Sequence, residues 1–222
     1  MKLTAVIPAF NEEKTIGGVI SKLKNCVNQI IVVDDGSQDK TSQIASEKGA
    51  MVYRHPVNRG LGGALGTGLK AALLNNADII ITLDADDQHD IAEIPRLVQP
   101  IIDGGADMVI GSRFLAPQTM PLFRKLGIPL FNLVARLLFN VKSTDSLSGM
   151  RAFSKKAAQT IKITANGMEA SLEILKESNF HHLKTKEVPI KAIYTEYSLS
   201  KGLRFLPGLQ FLVRVFTFKL IK

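Results

Sequence analysis

The sequence has one cysteine, Cys26, so no disulfide can close within the chain. That residue is expected to be a reduced thiol packed in an amphipathic helix running from Thr15 to Val27. No uninterrupted apolar run reaches the ~20 residues that a membrane-spanning helix needs. No Pro/Gly/Ser-rich linker, low-complexity tract or internal repeat divides the 222 residues, which favours one domain built on one sizeable core. The N-terminus passes from Lys2 directly into strand-like residues without a signal peptide, so a cytoplasmic location is expected. Acidic residues are scarce in one half only. Residues 111–222 hold 6 Asp+Glu against 18 Lys+Arg, a net of +12, whereas residues 1–110 hold 14 against 10, a net of −4. An overall charge of +8 raises nucleic acid as a partner. No helix-turn-helix, zinc-finger or base-stacking pattern accompanies it, and the aromatics sit inside apolar runs, so no nucleic-acid partner is expected.

What is present is a series of short runs rich in Val and Ile: residues 3–10, 29–35, 50–55, 78–84 and 107–114. They are continuous rather than alternating, which suits parallel strands covered on both faces. Helical segments separate them. Asn11 is placed to cap a helix beginning at Glu12, Ser37 or Asp39 to cap the next, with Gly49 as its stop, and Asp90 to cap residues 91–102. The alternation predicts an α/β fold with a mostly parallel central sheet flanked by helices. In such sheets ligands lie beyond the carboxyl ends of the strands. Three of those ends are polar: "PAFNEE", "VDDGS" and "LDADDQH".

The last is the most charged. If the backbone stays extended, Asp84 and Asp86 point the same way and Gln88 continues the series. Two carboxylates aimed at one point repel unless a cation or protons lie between them. Hard oxygen ligands of this kind suit Mg²⁺ or Mn²⁺, with diphosphate oxygens and water completing the shell. The plain alternative is an exposed acidic loop, and for Asp87 and Asp90 that alternative is preferred. Asp34 and Asp35 offer acceptors for a nucleoside at a second strand end, and Glu12 does so at the first. As plain alternatives, Glu12 and Asp39 are first-turn helix acids and Asp34 only fixes a turn.

Taken together, "VIPAFNEEKTI", "IIVVDDGSQDKT", "HPVNRGLGGALGTGLKAAL", "LDADDQHD", "VIGSRF" and "SLSGMRAFS" stand in the order and spacing of family 2 glycosyltransferases. The chain most resembles the branch containing dolichyl-phosphate mannosyltransferase and dolichyl-phosphate glucose synthase. The likeness runs from Leu3 to about Leu206. It implies a GT-A-type, nucleotide-diphospho-sugar-binding domain over residues 1–204, followed by an amphipathic segment over 205–222. It also implies transfer of one sugar from a donor of the GDP-mannose or UDP-glucose/GlcNAc type to a polyprenyl (dolichyl) phosphate. By position, Pro8, Phe10 and Glu12 match the nucleoside-contacting segment, and Asp35 the residue that receives the base. Asp84, Asp86 and Gln88 match the metal-and-diphosphate group. Arg113, Arg124 and Lys201 match basic residues that hold phosphate groups. His89 fits the motif without an assigned role.

The glycines at 60, 62, 63, 66 and 68 miss the dinucleotide fingerprint by one residue. They are read as a helix start where backbone approaches the nucleotide and the sheet, with close packing alone as the equal alternative for Gly66 and Gly68. Glu169 and Glu173, at i and i+4, face either sugar hydroxyls or solvent. Arg151 is either functional or a solvated sheet-edge charge. A polyprenyl phosphate is already an anion, so no general base is required, and inversion by in-line displacement is expected. Residues 121–142 and 205–222 read as amphipathic elements for a membrane surface, with core or dimer packing as the alternative for the first. The chain is therefore expected to act peripherally on the cytoplasmic face, alone, as a homodimer or beside a membrane-anchoring partner. Rival readings are a glycan or diacylglycerol acceptor, and a non-catalytic nucleotide-binding membrane scaffold. A sugar-nucleotide pyrophosphorylase would need a glycine-rich, arginine-containing loop where this chain reads "PAFNEE".

Overall fold

The structure is a computed structural model that describes residues 1–117 and 122–193. Its strands are β1 (Leu3–Ala9), β2 (Gln29–Asp34), β3 (Met51–Arg54), β4 (Ile79–Thr82), β5 (Met108–Ser112), β6 (Arg151–Ser154) and β7 (Thr185–Pro189). Its helices are α1 (Ile16–Leu23), α2 (Thr41–Glu47), α3 (Gly60–Leu74), α4 (Ile94–Ile102, after a single 3₁₀ turn at Ile91–Glu93), α5 (Leu122–Phe139), α6 (Lys155–Thr160) and α7 (Ala170–Phe180).

The strands form one seven-stranded sheet in the order β3-β2-β1-β4-β6-β5-β7. The pairs β1–β2, β1–β4 and β2–β3 are parallel, as the apolar runs predict, and β5–β7 is parallel as well. β6 is the exception: it runs antiparallel between β4 and β5, which puts its first residue, Arg151, beside Thr82 at the end of β4 and Ile110 of β5. That reversal brings the "SGMRAFS" motif to the carboxyl edge of the parallel strands.

The continuous apolar runs are explained by cover on both sides. Ile7, Val32, Ile81 and Val109 join Ile16, Val19, Ile20, Leu23, Leu97 and Val98 of α1 and α4 in one core layer. Their neighbours Val6, Ile31, Val33, Ile80 and Ile110 turn the other way, onto Leu65, Leu69 and Ala72 of α3 and Ile174 and Leu175 of α7. Glycine sets the distance on this second face: a β-carbon at Gly68 would stand 2.2 Å from Val6 Cγ1. Close helix packing, the plain alternative, is therefore what Gly68 serves.

Several local expectations are corrected. α1 begins at Ile16 rather than Glu12, and Asn11 does not cap it. Asn11 instead adopts a left-handed φ of 54° and its Oδ1 accepts from the backbone N–H of Gln38 at 2.9 Å. Cys26 lies beyond α1 and is exposed, not packed. Asp39 sits one residue outside the cap of α2, its carboxylate accepting from the Thr41 N–H at 3.0 Å. Gly49 does stop that helix, with φ 83°.

α5 is neither wholly core nor wholly surface. Ala135 is buried, and Phe131 and Phe139 lean with it on Leu172 of α7. Leu130, Leu133 and Leu137, one side of the helix by spacing, are 52%, 51% and 71% exposed. Among the described residues no helix is long and apolar enough to cross a membrane. The amphipathic segment read over 205–222 lies outside the described residues.

Gly68→Ala is expected to destabilise the fold by about 1–3 kcal/mol, because a helix-to-sheet contact must open. Gly66→Ala is the internal control: its β-carbon would meet nothing nearer than 3.9 Å, so it should be neutral or stabilising by up to about 1 kcal/mol. Urea denaturation followed by circular dichroism reads both, and equal stability of the two variants would contradict the packing account.

Candidate active site

β4 ends at Thr82, whose Oγ1 donates to the Gly149 carbonyl at 2.9 Å, and the chain turns at residues 85–87. Strand alternation therefore does not bring Asp84 and Asp86 together, as the extended reading supposed. A turn does, with Asp87 at φ 62°. Asp87 is held by Lys22 of α1, Nζ to Oδ2 2.6 Å, and Asp90 accepts from the Ala92 N–H at 3.0 Å, so both keep the structural roles preferred for them.

Asp84 is held on several sides. Its Oδ2 accepts from His89 Nε2 at 3.0 Å, and both oxygens press against Gly149, where a β-carbon would stand 2.5 Å from each. Burial opposes its ionisation, but the His89 hydrogen bond and charge, with Arg113 and Arg151 behind, outweigh it and hold the carboxyl below the ordinary carboxylate range. Asp86 goes the other way. Loss of water and repulsion by Asp84 push it up to about 6, against the opposing effects of His89 and of Gln88. Gln88 folds back on it: its backbone N–H donates to Asp86 Oδ1 at 3.1 Å and its Nε2 donates to Oδ2.

The positive charge behind the pair was only partly foreseen. Arg113, following β5, is clamped in a two-pronged pair with buried Asp145, Nε to Oδ2 and an Nη2 contact to Oδ1 both at 2.7 Å, and its backbone N–H adds a third bond. It is thus a fixed cation at the sheet edge rather than a swinging arm. Arg151 is not the solvated edge charge weighed for it: it is 2% exposed in an interior strand. Its guanidinium donates to the carbonyls of Ser148, Ser171 and Ser146 at 2.9, 3.0 and 2.7 Å. Burial lowers its pKa to about 10, partly offset by Asp145 and Asp84. Asp84, Ser148, Gly149, Arg151 and Ser171 line a cavity of about 20 Å³, room for roughly one water.

At the first two strand ends the nucleoside candidates are all present. Pro8 lies in β1 and lines the same cavity, and Phe10 is 43% exposed just beyond that strand. Glu12 is mostly buried, its backbone N–H donating to Thr41 Oγ1 and its carboxylate accepting from Thr15 Oγ1 at 3.0 Å. Asp34 does fix the turn after β2, accepting from the Ser37 N–H at 2.9 Å and from Ser42 Oγ. Asp35 is more committed than the sequence suggests. It accepts from His55 Nδ1 at 2.7 Å and from the backbone N–H groups of Arg59 and Gly60 at 2.9 and 2.7 Å. Three of the roughly four acceptor positions of the carboxylate are so used, which ties the start of α3 to the end of β2. The glycines there face protein: a β-carbon at Gly62 would stand 1.9 Å from the Ala165 carbonyl.

Glu173 is not at solvent. It is 3% exposed and accepts from the backbone N–H groups of Thr164 and Ala165, each at 2.8 Å. Glu169 accepts from the Gly167 N–H at 3.1 Å, while its other carboxylate oxygen is buried without a partner among the described residues. Arg124 falls in the first turn of α5, but its side chain lies outside the described part of the structure, as does Lys201 entirely.

Among the described residues no three His, Cys, Asp or Glu side chains converge as a metal cage. The hard carboxylate oxygens of Asp84 and Asp86 still fit Mg²⁺ or Mn²⁺ of the kind held by one or two carboxylates plus substrate phosphates. Asp145 and Gly149 were the participants missed, while Arg151 had been weighed with its role open. Gly149 and Arg151 belong to "SLSGMRAFS", whose order was noted but whose antiparallel placement was not, and Asp145 stands just before it.

The profile of "Glycosyl transferase family 2" matches residues 4–162. The chain is 38% identical to the UDP-N-acetylglucosamine–dolichyl-phosphate N-acetylglucosaminyltransferase of Methanococcus voltae, over 98% of this chain and 96% of that one. It is 30% identical to the dolichol-phosphate mannosyltransferase of Pyrococcus furiosus, over 85% of this chain and 56% of that one. Among solved structures, the glucosyl-3-phosphoglycerate synthase of Mycobacterium tuberculosis superposes with a TM-score of 0.75 at 27% identity, covering 99% of this chain and 79% of that one. The same enzyme in complex with Mn²⁺, UDP and glucosyl-3-phosphoglycerate superposes at 0.71 and 26% identity, covering 99% and 78%.

A metal held by Asp86 would compete with a proton there, since the folded-state pKa of this group stands above its ordinary value. Its ionisation therefore weakens the metal-free fold: stability present at low pH is lost as pH rises through about 6. Metal affinity runs opposite. Between pH 5 and pH 7 the Mn²⁺ dissociation constant should fall about tenfold, with close to one proton released at pH 5 and little at pH 7. Calorimetric titration in buffers of different ionisation enthalpy measures both, and a flat profile would contradict the shared-charge geometry.

Proposed function

The chain belongs to glycosyl transferase family 2 and is a glycosyltransferase, and from that premise we propose its reaction. It transfers one sugar from a nucleotide-diphosphate sugar to a polyprenyl phosphate of the dolichyl type, inverting the anomeric carbon and requiring Mg²⁺ or Mn²⁺. The observation that carries this reading is Asp84 and Asp86, brought beside one another by the turn after β4, with the charges of Arg113 and Arg151 near Asp84. That arrangement serves a diphosphate. The near full-length likeness to one enzyme named for dolichyl phosphate, and the partial likeness to another named for dolichol phosphate, support this acceptor.

The chain's own residues have defined tasks in this reaction. Asp84 and Asp86, with Gln88 alongside, would hold the divalent ion, which would supply positive charge toward the departing nucleoside diphosphate. Pro8, Phe10 and Glu12 border the nucleoside, and Asp35 keeps one acceptor position for the base. Arg113, immobilised by Asp145, lends fixed positive charge where phosphate groups meet. Arg124 and Lys201 receive the acceptor phosphate, which attacks as an anion and needs no base to deprotonate it. The leaving nucleotide departs in line on the opposite side of the sugar.

Residues 1–204 form the catalytic domain, and 205–222 lie in the headgroup layer of the cytoplasmic face. The exposed Leu130, Leu133 and Leu137 of α5 support that placement, since such an apolar strip suits a lipid interface. The longer reach of the likeness to the UDP-N-acetylglucosamine enzyme favours a UDP donor over GDP-mannose. A second reading, a soluble phosphorylated acceptor, draws support from the superposition on glucosyl-3-phosphoglycerate synthase.

The test is incubation with Mn²⁺, a polyprenyl phosphate and labelled UDP- and GDP-sugars, followed by counting label in the organic phase. Transfer is expected with one donor class and should vanish with EDTA, while Asp86→Ala should lower it by roughly 10²–10³-fold. Arg124→Ala should raise the KM for the lipid about tenfold and leave that for the donor unchanged. Label confined to the aqueous phase for every donor would overturn the acceptor assignment.

A further inference from the structure

His89 has no task in the reaction as set out above, yet it is 7% exposed and placed with care. Its backbone pairs with Ala192 in an isolated antiparallel bridge, and the neighbouring Gln88 carbonyl accepts from the Ile193 N–H at 2.8 Å. The bridge fastens the turn between β4 and α4 to the chain that follows β7. Among the described residues the ring so fixed has one polar contact, Nε2 with Asp84 Oδ2 at 3.0 Å, and its buried Nδ1 makes no hydrogen bond. A carboxylate receives a hydrogen bond from an imidazole N–H, so the contact places a hydrogen on Nε2. Nδ1 is left buried and unpaired among the described residues, a cost that a plain apolar side chain would not bear.

We propose that His89 is a positioning residue that fixes the Asp84 carboxylate for the metal–diphosphate site, an inference that rests on the metal reading above. The bond removes rotation of the carboxylate about its last torsion. Gly149 closes the other side, since no side chain could stand between it and Asp84. One oxygen is thereby engaged by the imidazole, and the carboxylate meets the cation already oriented rather than being ordered by it. Partners of this kind, one step removed from a metal, typically govern about 10–100-fold in metal affinity.

The test compares His89→Gln, which keeps an N–H near the Nε2 position, with His89→Phe, which keeps a ring and loses the donor. Mn²⁺ is titrated calorimetrically into each full-length chain premixed with UDP and, separately, GDP, with Asp84→Asn as reference and thermal melting as the check on folding. The expected result is Mn²⁺ binding by His89→Gln within about threefold of the parent chain, and by His89→Phe about 10–100-fold weaker at similar melting temperature. Equal binding by His89→Phe and the parent, with Asp84→Asn impaired, overturns the positioning role alone. No Mn²⁺ binding by the parent chain overturns the metal reading and this role with it. Should His89→Phe fail to fold, ¹⁵N shifts of the ring in the parent chain decide: an Nε2–H tautomer that changes in Asp84→Asn upholds the bond, and an Nδ1–H tautomer overturns it.

Discussion

The structure depends on an electrostatic constraint at one edge of its sheet: two half-buried carboxylates stand just beyond the end of an interior strand, where like charges repel. The response is asymmetric. Asp84 receives a histidine bond and the field of two arginines and stays ionised, while Asp86 is left with an amide partner and a raised affinity for protons. Much of the second half of the chain serves that asymmetry. Asp145 immobilises Arg113, three serine carbonyls hold Arg151, and β6 runs against its neighbours so that Arg151 arrives at the right end.

The fold was legible in the first half because parallel strands covered on both faces must be apolar throughout, and five such runs became β1 to β5 in the expected places. β6 and β7 were not, for opposite reasons. "RAFS" is four residues long and begins with an arginine, which reads as surface until its three carbonyl partners are seen. "TKEVP" is an edge strand without a fully buried position, so no apolar pattern marks it. Helix starts also shifted, since Asn11 proved to serve a left-handed turn joined to residue 38 across the sheet edge, a long-range contact that local capping rules do not contain.

The candidate site was legible as residue types and less so as geometry. Asp84, Asp86 and Gln88 do cluster, through a turn rather than strand alternation. Asp35 was read as an acceptor for a base, whereas most of its capacity goes into fastening the start of α3. Glu173 looked like one half of an exposed pair and is a buried acceptor for two backbone N–H groups. In each case a carboxylate visible in the sequence was claimed by backbone donors from a distant segment, and only tertiary structure assigns those. The division of charge between the halves acquires a meaning under the proposed reaction: the acidic half holds the proposed oxygen ligands, and the basic half the counter-charge and the surfaces proposed for phosphate and lipid.

The central claim is that Asp84 and Asp86 bind a divalent ion that also binds the donor's diphosphate. Anomalous scattering at the manganese edge, from crystals grown with Mn²⁺ and UDP or GDP, addresses it directly. The account predicts a single strong peak about 2.0–2.6 Å from carboxylate oxygens of this pair and from the diphosphate. A bound nucleotide with manganese elsewhere, or with none beside residues 84–88, would contradict it.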